Sequence, residues 1–433
     1  MYTGLGARPE QAKGKRSRKG ALNRTVIALG FTSFFTDISS EMVASVIPIF
    51  LVAQLGFSPA GFGLFQAANE LANALLRLAG GAIADRTRRL KETAAAGYGL
   101  STLTRIGLLG SALSGVTPVP FLLVDRLGKG LRTSPRDAMI TLATPQRSWG
   151  TAFGVHRTLD AAGALIGPLL AFAILTALPG SFDAVFVLSV GFGLLGFAVI
   201  AAWVRNPPVL KKLEPRTGGL GLVRRLTNHW GNRGYRRILL LGGAFGLFSI
   251  ADGFIYLTLF EISKDASSAS GAIGESGFGI RWFPLFFAGT AVAFLATATP
   301  LGRLADRVGR ARVWIGGHVL LLGVYGALLA GPTSVVAIGA VLAMLGVYYG
   351  ATDGVLPALA SGVIGEAERS SGLALLSTVV ALSRVAAALG FGLMWDRIGV
   401  DRSLIVMGIG LASVIVAVTV IVLFRDPKVE VSS

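Results

Sequence analysis

Residues 81–89 read GAIADRTRR, and residues 302–310 read GRLADRVGR. Both fit G-x-x-A-D-R-x-x-R, at an offset of 221 residues. Each copy follows the second of a series of long apolar stretches. A fainter echo lies upstream of both: FFTDISSE at 34–41 and FSIADGFI at 248–255 place an acid, Asp37 or Asp252, at equivalent depth in the first apolar stretch of each series. A chain that says the same thing twice at this spacing is built from two similar halves.

The composition says what kind of halves. Of 433 residues, 53% are hydrophobic and 15% charged, whereas a soluble chain carries roughly a quarter charged residues. Mean hydropathy is +0.67. Stretches long enough to cross a hydrocarbon core of about 30 Å recur near 25–53, 60–84, 94–114, 118–141, 150–177 and 183–204. They resume near 237–262, 277–302, 312–330, 333–360, 369–394 and 402–424. That is an all-α membrane protein of twelve spans in two six-helix repeats, the parallel-repeat plan of one large class of transporters. The domain reading is a basic arm (1–24), an N-terminal bundle (25–204), a linker (205–236), a C-terminal bundle (237–424) and a tail (425–433). A short surface helix is expected near Leu220–Trp230 of the linker.

Net charge is +17, which raises nucleic acid as a partner. The distribution answers otherwise. Twenty-eight Lys and Arg fall in the arm, the even-numbered loops and the tail, against three (Lys264, Arg397 and Arg402) in the opposite loops. That bias places both termini in the cytoplasm and supplies attraction to anionic membrane lipid. The arm has no apolar core with a cleavage site and does not read as a secretory signal. With no cysteine, disulfides and thiolate metal sites are excluded. His156, His229 and His318 form no metal-ligand spacing, and no cofactor fingerprint or nucleophile motif points to an enzyme.

The motifs resemble those of the major facilitator superfamily over nearly the whole chain beyond the arm. GGAIADRTRR is similar to that family's signature between spans 2 and 3, Gly-x-x-x-Asp-Arg/Lys-x-Gly-Arg/Lys-Arg/Lys. The first copy departs at Thr87–Arg88, and the second, ADRVGR, keeps the glycine. LLVDRLGKG in span 4 resembles the Leu-x-x-x-Arg-x-x-x-Gly pattern of proton-coupled members, through Leu122, Arg126 and Gly130. GALIGPLLA in span 5 resembles the Gly-x-x-x-Gly-Pro pattern of exporting exchangers, through Gly163, Gly167 and Pro168. The same small residues also let ordinary helices pack closely.

Charges inside spans are costly and face the bundle interior or a wet cavity. Span 4 carries Asp125, Arg126, Lys129, Arg132, Arg136 and Asp137 within an arc of about 140° on a helical wheel, opposite Leu127, Gly128 and Leu131. At 1.5 Å per residue, Arg126 lies about 12 Å deep and Arg136 and Asp137 about 27–29 Å. Pro135 is expected to bend or end this helix. The mid-depth set reads as substrate or proton-coupling residues: Asp37, Glu41, Glu70, Arg126, Lys129, Arg132, Arg157, Asp160, Asp252 and Arg384. An acid beside a movable cation can carry a proton, because opening and closing a cavity changes both its solvation and its neighbours. The alternative is a static bridge from Asp37 or Glu41 to Arg126. A second set reads as a cytoplasmic gate: Gly81, Asp85, Arg86, Arg89, Arg136 and Asp137, with Asp306, Arg307, Arg310 and Asp353 of the second half. Tyr348 and Tyr349 are further candidates for the cavity wall, and His156 for a packed, hydrogen-bonded residue.

These readings imply a secondary transporter of a small organic solute in a bacterial inner membrane. It would work by alternating access, as a monomer, with proton-coupled export favoured and Na+ less so. An importer of organic anions, held by the cationic face of span 4, and a lipid or lysolipid translocase remain the alternatives.

Overall fold

The computed structural model describes residues 24–87, 89–114, 117–145, 148–206, 232–269, 279–364 and 369–425, with the side chains of 74–87 and a few others excepted. The arm, the core of the linker with its expected surface helix, and the tail lie outside the described residues. Among the described residues every element is helical. The first half comprises α1 (Arg24–Ile49), α2 (Pro59–Thr87), α3 (Leu90–Ser114), α4 (Val119–Ala143), α5 (Trp149–Ala177) and α6 (Phe182–Trp203). The second comprises α7 (Arg233–Leu247 and Asp252–Ala269), α8 (Phe283–Val308), α9 (Arg310–Leu329), α10 (Val335–Thr352 and Val355–Ser361), α11 (Arg369–Ile398) and α12 (Val400–Arg425). Twelve crossings leave both chain ends on one side, here called the terminal face; the other is the distal face.

Nine of these helical segments are long and apolar enough to cross a bilayer by length and composition. The remaining three, α2, α3 and α4, include inward-facing charged residues such as Glu70, Arg105 and Arg126. Outward, the helices present leucine, valine and isoleucine, such as Leu64, Leu103, Val336 and Ile409, as a lipid-facing surface requires.

Lipid gives apolar helices little reason to associate, so close backbone approach at small residues holds the bundle together. A Cβ on Gly163 would lie 2.4 Å from the carbonyl oxygen of Phe34, and one on Gly167 would lie 2.8 Å from that of Ile38. α5 is therefore pressed onto α1 where the Gly-x-x-x-Gly-Pro pattern falls. α3 and α4 meet in the same way: a Cβ on Gly97 would lie 2.7 Å from the carbonyl oxygen of Gly128. Gly128 is thus a packing residue against α3, while Leu127 faces outward. At the turn from α8 to α9, Gly309 has φ +103°, which a side chain would strain. That turn is why the second motif copy keeps its glycine.

Three helices depart from the sequence expectation. α4 runs on through Pro135 to Ala143 rather than ending there, so Arg136 and Asp137 remain on its regular face. α7 is interrupted at 248–251, and Tyr325 of α9 closes the gap. Its hydroxyl accepts from the Ile250 N–H at 2.8 Å and donates to the Phe248 carbonyl at 2.8 Å. α10 is interrupted at Asp353–Gly354. Non-helical backbone at this depth is tolerated where protein or a cavity receives it, and both breaks border the cavity described next.

The halves meet along α2 and α11, and α5 and α8. Near the distal face the seam is tight. Gly63 packs backbone to backbone on Ala388 and Gly392. The Ala60 N–H donates to Asp396 at 3.1 Å, the Phe62 and Phe254 rings meet edge-on at 5.0 Å, and Phe172 lies 5.2 Å from Trp282. Toward the terminal face, α4 and α10 make no extensive packing contact with each other among the described residues.

Candidate functional site

A cavity of about 510 Å³ lies between the halves. In the first half its wall comes from α1 through α5; in the second from α7, α8, α10 and α11. Seven aromatic rings contribute apolar surface, among them Phe65, Phe121, Phe287 and Tyr256. Polar and charged side chains interrupt that surface throughout, Gln66, Asn69, Glu70, Arg105, Arg126 and Asp252 among them.

On the first-half wall, Arg105 is the best anchored charge. It is 3% exposed. Its guanidinium donates to the Ser101 carbonyl at 2.8 Å and to Ser40 Oγ at 2.7 Å, and lies 3.4 Å from Asp125. Arg126 follows Asp125 on the same wall, with Glu41 and Glu70 from α1 and α2. Among the described residues neither glutamate has an ion-pair partner within 4.0 Å. Asn69 Oδ1 and Arg126 Nε are buried there without a hydrogen-bond partner among the described residues.

The second-half wall is built at the α7 break. Asp252 opens the second α7 segment and accepts a hydrogen bond from the Tyr349 hydroxyl. The Tyr348 and Tyr349 rings meet at 4.9 Å, tilted by 51°. Arg384 of α11 and Asp353 at the α10 break complete the set. Asp252 and Arg384 lie within electrostatic reach of one another, of Asp353 and of Glu70 across the seam.

A second polar cluster lies inside the first half. Arg132, 3% exposed, sits 3.7 Å from Asp37 with its guanidinium 4.7 Å above the Tyr98 ring. Asp37 and Asp160 face each other within hydrogen-bonding reach, and both feel Lys129. Arg136 contacts Asp137 at 3.0 Å and Asp160 at 3.8 Å, and donates to Ser33 at 3.4 Å. Ser33 also meets His156 Nε2 at 3.0 Å, so His156 is a packed, hydrogen-bonded residue.

Several sequence expectations therefore change position. Glu41, Glu70, Arg126, Asp252 and Arg384 reach the cavity wall. Asp37, Lys129, Arg132 and Asp160 belong to the inner cluster, and Asp37 pairs with Arg132 rather than with Arg126. Arg157 is exposed on α5 and joins neither group. Pro168 borders the cavity, whereas Gly163 and Gly167 pack against α1. Of the gate set, Arg136 and Asp137 turn to α1 and α5 of their own half. Asp306 pairs with Arg310 at 2.9 Å, and Arg310 donates to the Ala358 carbonyl at 3.1 Å, again within one half. Arg89 and Arg307 are exposed. Asp353 stands on the cavity wall, because the α10 break turns it inward. The side chains of Gly81, Asp85 and Arg86 lie outside the described residues. Arg105 escaped the sequence reading. Its signal was available, as a lone cation in the middle of an apolar span.

Two six-helix halves around a shared polar cavity define a membrane carrier rather than an enzyme. The chain belongs to the Major Facilitator Superfamily, whose profile matches residues 29–388. It is 28% identical over 378 residues to the uncharacterized MFS-type transporter MJ1317 of Methanocaldococcus jannaschii, covering 86% of this chain and 89% of that one. It is 25% identical over 287 residues to the multidrug resistance protein MdtH of Aeromonas hydrophila, covering 66% and 64%. Among solved structures it resembles the nucleoside transporter NupG, with a TM-score of 0.74 at 14% identity over 93% of this chain and 100% of that one. It also resembles a bacterial homolog of the human lysosomal transporter Spinster, inward-facing and unoccupied, with a TM-score of 0.68 at 14% identity, over 94% and 100%. These likenesses establish a shared fold.

Proposed function

We propose that the chain is a proton-coupled exporter, moving a small organic solute out of the cytoplasm across a bacterial inner membrane by rocking its halves. The observation that carries this is the cavity itself: it belongs to both halves, is sealed at the distal seam, and bears carboxylates without ion-pair partners among the described residues. Rocking the halves breaks the α2–α11 and α5–α8 contacts near one face and makes contacts at the other, which is alternating access. The Lys and Arg bias favours the terminal face as the cytoplasmic one, and the tight distal seam favours a state that loads its solute from inside. Glu41 and Glu70 are placed to exchange a proton as the cavity changes its exposure. The inner cluster ties α1, α3, α4 and α5 together, so a proton arriving at Asp37 or Asp160 reaches the same helices that shape the wall. The Gly-x-x-x-Gly-Pro match and the likeness to a multidrug resistance protein favour export.

The test is transport in proteoliposomes holding a pH-sensitive dye, with a panel of organic cations, zwitterions and anions. A transported compound is expected to drive protons the opposite way, and a Glu41→Gln/Glu70→Gln double variant to lose that movement. Transport at equal rates with and without a protonophore contradicts the coupling.

A further inference from the structure

We infer that the solute carries a neutral head bearing hydroxyl groups, seated against α2, α3 and α4 between Asn69, Arg105, Asp125 and Arg126. The observation is a set of unmet hydrogen bonds. Among the described residues, six buried side-chain nitrogens and oxygens have no hydrogen-bond partner. Four of them belong to residues of the cavity wall: Asn69 Oδ1, Arg105 Nε, Asp125 Oδ1 and Arg126 Nε. Buried polar atoms are nearly always paired, and each exception calls for a reason. Four exceptions on one wall of one cavity share a reason: these side chains are set out for a group that is not part of the chain.

The chemistry of the four atoms says which group. Two are donors, the guanidinium N–H groups of Arg105 and Arg126. Two are acceptors, the Asn69 amide oxygen and the Asp125 carboxylate oxygen. An anion answers the donors and is repelled by Asp125. A cation answers the acceptors and is repelled by both guanidinia. A hydroxyl donates once and accepts twice, so neighbouring hydroxyls meet both kinds and add no charge.

Arg105 and Asp125 show the fit most directly. They stand 3.4 Å apart as an ion pair, yet Asp125 Oδ1 accepts no hydrogen bond. Arg105 cannot swing freely to close the gap, because it is held by the Ser101 carbonyl and Ser40 Oγ. A hydroxyl beside them accepts from Arg105 Nε and donates to Asp125 Oδ1. Arg126 has no ion-pair partner within 4.0 Å among the described residues, so its donors are not spent on a carboxylate of the chain. Asn69 and Arg126 are half-buried, and a modest turn of either side chain brings its unmet atom to the solute. The α8 part of the wall, with Phe287, Ala291 and Phe294, offers apolar surface to the rest of the molecule.

The inference rests on the carrier reading for the cavity's role, but not on direction or protons, and it adds a neutral class to the compounds tested above. Binding to the full-length protein is measured without any gradient, so it can fail or hold independently of the proteoliposome experiment. The probes are phenyl glucoside, phenyl glucuronide and phenyl glucosaminide, which share a frame and are neutral, anionic and cationic at mildly acidic pH. Saturable binding is followed by calorimetry in lipid nanodiscs, where no sugar-headed detergent competes. The glucoside is expected to bind at least tenfold more tightly than either charged analogue. Asn69→Leu and Arg126→Gln are each expected to weaken it about tenfold. Neither substitution breaks an ion pair of the described residues, and an unchanged melting temperature establishes that each variant is folded; either one suffices. Equal or tighter binding of a charged analogue overturns the inference. So does glucoside affinity that is unchanged in a folded variant, or absent altogether.

Discussion

The crossing of α3 with α4 and the crossing of α9 with α10 occupy matching places in the two halves, yet they are built from different chemistry. In the first half, Gly97 and Gly128 bring two backbones together, and charges flank the contact: Arg105 with Asp125, and Arg132 with Asp37 and the Tyr98 ring. In the second half, a Cβ on Gly317 would lie 2.9 Å from the Ala351 side chain, and rings flank the contact. His318 lies 5.1 Å from Trp314, 5.5 Å from Tyr348 and 3.8 Å from Phe245, centroid to centroid. The repeated architecture sets where helices cross. The residues at the crossing then decide which half answers to charge and which provides a firm apolar wall.

The largest way to break this contrast is in the charged half. Arg132→Ala leaves Asp37 without its cation in the interior, and breaking such a pair costs about 3–5 kcal/mol. We expect a large fall in melting temperature, with much of it recovered in an Asp37→Asn/Arg132→Gln double variant that leaves no unpaired charge. A single variant as stable as the parent removes the claim that charge holds this half. Gly97→Val tests the shared feature, backbone approach. Its side chain would strike the Gly128 carbonyl and the Arg132 amide, and overpacking of this kind costs about 1–3 kcal/mol, read as a smaller fall in melting temperature. The smallest effect belongs to the ring-lined half. His318→Phe keeps the ring contacts and loses one hydrogen bond to the Trp314 carbonyl, at 2.9 Å, for a cost of about 1 kcal/mol. A drop as large as that of Arg132→Ala would mean that His318 has an ionic role.

The architecture was legible because bilayer thickness imposes length on every span and the motif repeat imposes two-fold organisation. The site was legible in part. Periodicity puts Arg126 and Arg132 on one face of α4, but their fates differ by whether Asp37 is near, and that depends on how closely α1, α3 and α4 approach. Glycines at 97, 128, 163 and 167 set that approach, and hydropathy does not register it. Depth alone assigns Asp353 to the gate, and a two-residue break in α10 moves it to the wall. The α7 break at 248–251 is hidden likewise, because its continuity depends on Tyr325, more than seventy residues away. Arg105 shows the reverse: its signal in the sequence is plain, and its partner Asp125 lies on the charged arc of span 4.

On the proposed function, two rigid halves expose one cavity alternately to the two faces. The chain has no cysteine, so spin labels can be placed without background. One pair, Ser58→Cys with Arg397→Cys, reports on the distal seam, and another, Arg89→Cys with Arg307→Cys, on the terminal face; all four positions are exposed. Electron-electron distance measurements in lipid nanodiscs at two pH values, with and without phenyl glucoside, should show opposite movement. The distal pair lengthens in the population where the terminal pair shortens. Distances that change together, or a terminal pair that never moves while the distal pair opens, would contradict alternating access by these halves.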